Sequence, residues 1–275
     1  MYSHLTDLTK SVWFYIIAFA LVLAASLASG LLGVDPGLGL MFTPLIAVIA
    51  MFFVVTRDGF SRQAWLSLGL HRAGFRSWGL ALLAPVAVLA FAYGLAWILG
   101  IIRFTSPGPN FITNFPPSAI AMGIGLSLLG SFGEEIGWRG YFLPHLLSLG
   151  RTQALLVSGL LHGLFHLPFI LLTPFYHGLG NRFIVIPLFL LALTAAGVVY
   201  GYLRLTSQSV WPAAIAHTSI NISVEQITSV TVSASPLAAE YLLGESGLLT
   251  LVGIILAAAW LTFRLNRRPQ TLVAV

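Results

Sequence analysis

Two adjacent carboxylates, Glu134 and Glu135, lie in the segment GSFGEEIGWRGYF at residues 130–142, within an apolar stretch of the chain. An ionisable group on a membrane helix is costly unless it is paired or reached by water. Arg139 follows Glu135 by four residues, the order and spacing that favour an ion pair on a helix. Glu134 has no such neighbour, so we assign Glu135 to structure and predict that Glu134 activates a water. The alternative is a helix end at which both carboxylates reach interfacial water.

A pair of histidines stands one helical turn apart in the segment LLHGLFHLP, residues 160–168. His162 and His166 therefore share one face of a helix, where Gly159 and Gly163 leave room for a neighbouring helix. A lone histidine there often only packs, but two on one face favour a site. The spacing matches the zincin pattern H-E-x-x-H except that Gly163 replaces the glutamate, so this segment alone does not support a zincin site.

A third polar face follows in the segment VWPAAIAHTSIN, residues 210–221. His217 and Asn221 are four residues apart, and both can donate hydrogen bonds, as an oxyanion hole requires. Glu225 continues the same face one turn later, and we interpret it as structural. The remaining histidines are expected in or near solvated loops: His4, His71, His145 and His177.

These carboxylate, imidazole and amide groups are costly singly on apolar helices, but they can satisfy one another around a shared watery cavity. A water held between Glu134 and an imidazole is the chemistry of hydrolysis.

The elements that must position these groups are transmembrane helices. Of 275 residues, 58% are hydrophobic and 8% charged, which is too few charges for a water-solvated surface. Stretches of about 20 apolar residues can cross a bilayer. Eight qualify, and they predict an all-α, polytopic membrane protein with one bundle and a single domain over residues 1–275: 11–33, 38–55, 78–102, 118–147, 152–173, 183–203, 209–232 and 247–263. No internal repeat is visible, which argues against an inverted-repeat transporter.

The distribution of basic residues predicts the orientation. With a cytoplasmic N-terminus, eleven of the 13 Lys and Arg residues fall on the cytoplasmic side, and only Arg103 and Arg182 fall on the other. This bias predicts that both termini are cytoplasmic. The net charge of +5 is therefore attributed to the membrane topology, and no nucleic-acid partner is expected. Because the chain has no cysteine, disulfides and thiolate metal sites are excluded.

Three motifs in this order resemble the CPBP (ABI) family, which comprises type II CaaX prenyl endopeptidases and bacteriocin-processing enzymes. They are Glu-Glu-x-x-x-Arg at 134–139, a helix motif ending at His166, and His-x-x-x-Asn at 217–221. The resemblance covers about residues 118–225. It implies an eight-helix intramembrane endopeptidase in which Glu134 and His166 activate water, and His217 and Asn221 stabilise the oxyanion. By the same resemblance, Glu135 and Arg139 support the site.

One position departs from the family pattern. His162 occupies a position at which the family usually has an aromatic residue. Either His162 has no chemical role and only fills the space of that aromatic ring, or it is an additional metal ligand or base. We predict that His166 rather than His162 does the chemistry.

The residues do not decide whether the site uses a metal ion. Glu134, His166 and His217 could hold zinc, whereas a metal-free mechanism uses the same groups, and Asn221 slightly favours the second because amides are poor zinc ligands. The expected partners are the bilayer, of a prokaryotic plasma membrane, and a peptide or prenylated protein substrate. The alternatives are a non-catalytic immunity or scaffold protein of the same family and a proton-coupled transporter that uses Glu134 and the histidines as a relay.

Overall fold

The apolar stretches fold as helices in the computed structural model, which describes residues 5–106, 117–175 and 179–267. The helices are α1 (Asp7–Leu32), α2 (Gly37–Met41), α3 (Thr43–Ala50), α4 (Arg62–Ser67), α5 (Trp78–Ile98), α6 (Pro117–Glu135), α7 (Leu143–Leu146), α8 (Arg151–Phe165), α9 (Leu167–Leu172), α10 (Arg182–Ser207), α11 (Trp211–Ser229), α12 (Pro236–Leu242) and α13 (Leu248–Asn266). π-helical turns at Met51–Val55 and Ile136–Phe142 extend α3 and α6. Short 3-10 turns occupy Phe75–Ser77 and Leu147–Leu149. The predicted all-α fold class is confirmed.

Seven described stretches are long and apolar enough to cross a membrane. They are Asp7–Leu32, Gly37–Val55, Phe75–Ile98, Pro117–Leu149, Arg151–Leu172, Arg182–Ser207 and Leu248–Asn266. They correspond to seven of the eight predicted stretches, and the protein is an integral, multi-pass membrane protein. The eighth predicted stretch, 209–232, forms α11, which carries too many polar side chains to qualify by hydropathy.

Both ends of α11 are nevertheless tied to the ends of α5. At its start, the Val210 N–H donates to the Gly69 carbonyl oxygen at 3.3 Å, in the segment that connects α4 to α5. At its end, strand β2 (Thr231–Ser233) pairs antiparallel with β1 (Ile102–Phe104), which follows α5. The two helices therefore run in the same direction, side by side, over the same thickness. On α11, His217 is buried, whereas Glu225 and Gln226 near its end are exposed.

The predicted stretch 152–173 is broken at His166, between α8 and α9. Pro168 has no N–H to donate to the carbonyl of Leu164, so the regular helical ladder stops there. The His166 N–H donates instead to the Gly163 carbonyl oxygen at 3.1 Å. His166 is thus at a junction between two helices, not in the middle of one.

The close helix approach predicted at Gly159 is present between α8 and α10. A Cβ atom at Gly159 would lie 2.5 Å from the carbonyl oxygen of Thr194, and one at Gly197 would lie 2.4 Å from the Gly159 Cα. Since real Cβ contacts are never this short, the two backbones touch directly. This contact brings the histidines of α8 next to the centre of α10.

The orientation gives the first testable prediction. Cysteines introduced at Ser61 and at Ser106 should be labelled by a membrane-impermeant thiol reagent from opposite sides, with Ser61 reached from the cytoplasm, because α5 crosses once between them. The chain has no native cysteine, so the unmodified protein is the background control. Labelling of both positions from one side would contradict the topology.

Candidate active site

The two adjacent glutamates end α6, where the helix passes into the π-helical turn Ile136–Phe142. The predicted ion pair is present: Arg139 Nη1 lies 2.9 Å from Glu135 Oε1, and both side chains are fully buried. Glu135 Oε1 also lies 3.0 Å from Nδ1 of His217 on α11. Glu135 therefore joins α6, the π turn and α11.

Glu134 has its partner on a neighbouring helix. Its Oε2 lies 2.9 Å from Nε2 of His162, and both residues are buried. From the sequence, Glu134 was expected to act with His166, and the role of His162 was open. His162 makes this contact directly, and its other ring nitrogen, Nδ1, lies 3.1 Å from Arg139 Nη1.

His166 belongs to the same cluster. Its Nδ1 lies 3.0 Å from the carbonyl oxygen of His162 and donates to it, so chemistry by this ring runs through Nε2. Glu134, His162 and His166 each offer one possible ligand atom, and these atoms lie within 4.8 Å of one another. The zinc ligands predicted from the sequence, Glu134, His166 and His217, share two members with this group and have His217 in place of His162.

One cavity of about 420 Å³ contains all the predicted catalytic groups. Glu134, His166, His217 and Asn221 line it together with His162. Its apolar wall is rich in aromatic rings: Phe165, Phe169, Phe175 and Phe189. A polar pocket with convergent titratable groups inside an apolar bundle is the arrangement expected of a binding or catalytic site.

Three further carboxylates line this cavity: Asp35, Glu225 and Glu245. Glu225, interpreted from the sequence as structural, thus faces the cavity. Glu245 was missed because it lies between α12 and α13, where no helical periodicity marks a face. Burial raises the pKa of Glu245 to about 7. Among the described lining residues there is no Lys or Arg, so the cavity is acidic.

The other histidines have mixed outcomes. His71 is exposed, as expected. The expectation that His145 is solvated is wrong: it is buried on α7, with Nδ1 2.8 Å from the Tyr141 carbonyl oxygen and its ring centroid 4.5 Å from that of Tyr141. His4 and His177 lie outside the described residues.

Comparison with known proteins shows that a family model described as Rce1-like, type II CAAX prenyl endopeptidase, matches residues 116–223. The resemblance to the CPBP family is confirmed. At the family level, the Rce1-like match supports a CAAX-type intramembrane protease. It runs from α6 to α11 and so contains both glutamates, Arg139 and the whole histidine cluster, whereas Glu225 and Glu245 lie beyond it. No curated protein matches the chain.

The ion pair between Glu135 and Arg139 generates the second prediction. Glu135→Ala and Arg139→Ala should each lower stability by about 3–5 kcal/mol, because each leaves a buried charge unpaired. Thermal unfolding in detergent, with Glu134→Gln as the matched control, measures the effect. The double variant Glu135→Gln/Arg139→Met should unfold at a higher temperature than Arg139→Ala alone, since it leaves no unpaired charge. Single variants as stable as the control would contradict the assignment.

Proposed function

We propose that the protein is an intramembrane endopeptidase that hydrolyses peptide bonds of membrane-associated, prenylated or leader peptides. The observation that carries the proposal is the single cavity in which Glu134, His166, His217 and Asn221 meet inside apolar helices. The family match supports the reaction class.

In this mechanism Glu134 takes a proton from a water in the cavity as the hydroxide attacks the peptide carbonyl carbon. The Nε2 of His166 helps to hold that water. The carbonyl oxygen becomes an oxyanion, which the Asn221 amide and the His217 ring stabilise by donating hydrogen bonds. The C–N bond then breaks, and the leaving amine receives the proton from Glu134.

His217 can donate through Nε2 only when its ring is also protonated there, because Nδ1–H is directed to Glu135. The Glu135 carboxylate favours that charged ring, as an aspartate does beside the histidine of a serine protease. Glu135 is thereby a supporting residue for the oxyanion as well as a partner of Arg139.

A zinc-dependent mechanism is a second possibility for the same residues. Glu134, His166 and His217 would hold the ion, and both rings have Nδ1 backed by an oxygen acceptor, as supported histidine ligands do. When bound, zinc would supply a Lewis acid for the hydrolytic water.

The third prediction tests the carboxylate. Glu134→Ala should lower peptide cleavage by about 10²–10⁴-fold, the loss expected for removing a general base, while folding and membrane insertion are kept. Cleavage is measured on the purified protein, and elemental analysis of the same preparation distinguishes the metal-free from the zinc mechanism. Retention of more than a few per cent of turnover would show that Glu134 is not the base.

Proteomic capture with Glu134→Gln, compared with the wild type, would identify substrates.

The fourth prediction concerns substrate charge. The cavity is lined by four acidic residues: Asp35, Glu134, Glu225 and Glu245. We expect their carboxylates to repel a negative group on the substrate near the scissile bond. A short substrate peptide with an amidated C-terminus should have a kcat/KM about three- to tenfold higher than the same peptide with a free carboxylate, as expected from roughly 1 kcal/mol of repulsion. Glu225→Gln should reduce this preference. A faster reaction with the free carboxylate would contradict the prediction.

A further inference from the structure

The imidazole ring of His162 is held on both nitrogens by protein groups. Nδ1 lies 3.1 Å from Arg139 Nη1, and Nε2 lies 2.9 Å from Glu134 Oε2. The side chain is fully buried, and the Trp138 ring lies against it with centroids 4.7 Å apart. The ring is therefore enclosed between a cation, a carboxylate and an indole.

These two contacts determine where the ring proton is. A guanidinium is a donor only and keeps its proton in proteins, so Nδ1 of His162 must accept from Arg139. A neutral imidazole that accepts at Nδ1 carries its hydrogen on Nε2, which then donates to Glu134. In the other tautomer, the Nδ1–H of His162 would face the N–H of Arg139, and the lone pair on Nε2 would face the Glu134 carboxylate.

The other two rings of the cluster are set the opposite way. His166 donates Nδ1–H to the carbonyl oxygen of His162, and His217 donates Nδ1–H to Glu135. In both rings Nε2 is the atom that can accept a proton, bind a metal or face the substrate. The Nδ1 atom of His162 therefore faces a hydrogen-bond donor, Arg139, whereas the Nδ1 atoms of His166 and His217 face acceptors.

We propose that His162 is a positioning residue for Glu134, with its Nε2–H tautomer fixed by Arg139. This inference rests on the proposed function of Glu134. His162 holds Oε2 of Glu134 and leaves the other oxygen, Oε1, for the attacking water. It is neither a bystander nor a base, and it is not a metal ligand, because metal binding at Nε2 would require a proton on Nδ1, against Arg139.

A pair of substitutions tests this role. In His162→Gln the amide nitrogen can donate to Glu134 and the amide oxygen can accept from Arg139, but the side chain cannot act as a base. His162→Leu has a similar volume and neither group. We expect kcat within about threefold of wild type for His162→Gln, and a loss of about 10- to 100-fold for His162→Leu with KM little changed, the loss of a hydrogen bond to a charged group. The thermal unfolding temperature controls for folding.

Other outcomes would overturn the proposal. Equal losses of 10²-fold or more in both variants would make His162 a base or a metal ligand. Wild-type activity in both would make it a bystander.

A second measurement does not depend on activity. In protein with ¹⁵N-labelled histidine, the signal that His162→Gln removes should show Nε2 protonated and Nδ1 unprotonated, and Arg139→Met should remove that preference. A protonated Nδ1 would overturn the inference whether or not the protein cleaves peptides. The expected tautomer in a protein that cleaves nothing would instead count against the proposed function alone.

Discussion

The ion pair between Glu135 and Arg139 is the interaction on which the site depends. Two opposite charges at 2.9 Å, both fully buried, are tolerable in an apolar bundle only as a pair. Each partner also holds a histidine, since Glu135 contacts His217 and Arg139 contacts His162. The Arg139 guanidinium lies 5.1 Å from the centre of the Tyr200 ring, which adds a cation–π contact. The pair thereby sets the orientation of rings on two other helices.

The π-helical turn after Glu135 makes this arrangement possible. A π turn widens the helix by one residue and leaves carbonyl groups that the regular ladder does not satisfy. Nε of Arg204 on α10 donates to the Arg139 carbonyl oxygen at 3.1 Å, and its Nη2 donates to the Ser67 carbonyl oxygen at 2.8 Å. Gly137 in the turn fits against Pro44, where a Cβ atom would lie 2.4 Å from the proline ring. The irregular turn is thus supported from two sides.

Interactions within one helix could be predicted from the sequence, whereas interactions between helices could not. The Glu135–Arg139 pair follows from four-residue spacing alone. The partner of Glu134 depends on the rotation of α6 against α8, and a turn of 5.4 Å decides between His162 and His166. Hydropathy identified seven crossings and left out α11, whose His217, Asn221 and Glu225 line the cavity. Glu245 lies in a connecting segment, where only tertiary structure brings it to the site.

A hydrolase within a membrane must bring water to a carboxylate without exposing its helices to solvent. The 420 Å³ cavity has room for several waters, and its polar lining offers them the two or more partners that a buried water needs. The acids Asp35, Glu225 and Glu245 come from a loop, from the later part of α11 and from the segment before α13, respectively. Waters can therefore form hydrogen bonds from these polar groups inward to Glu134, and the phenylalanine rings keep the remaining wall of the cavity apolar.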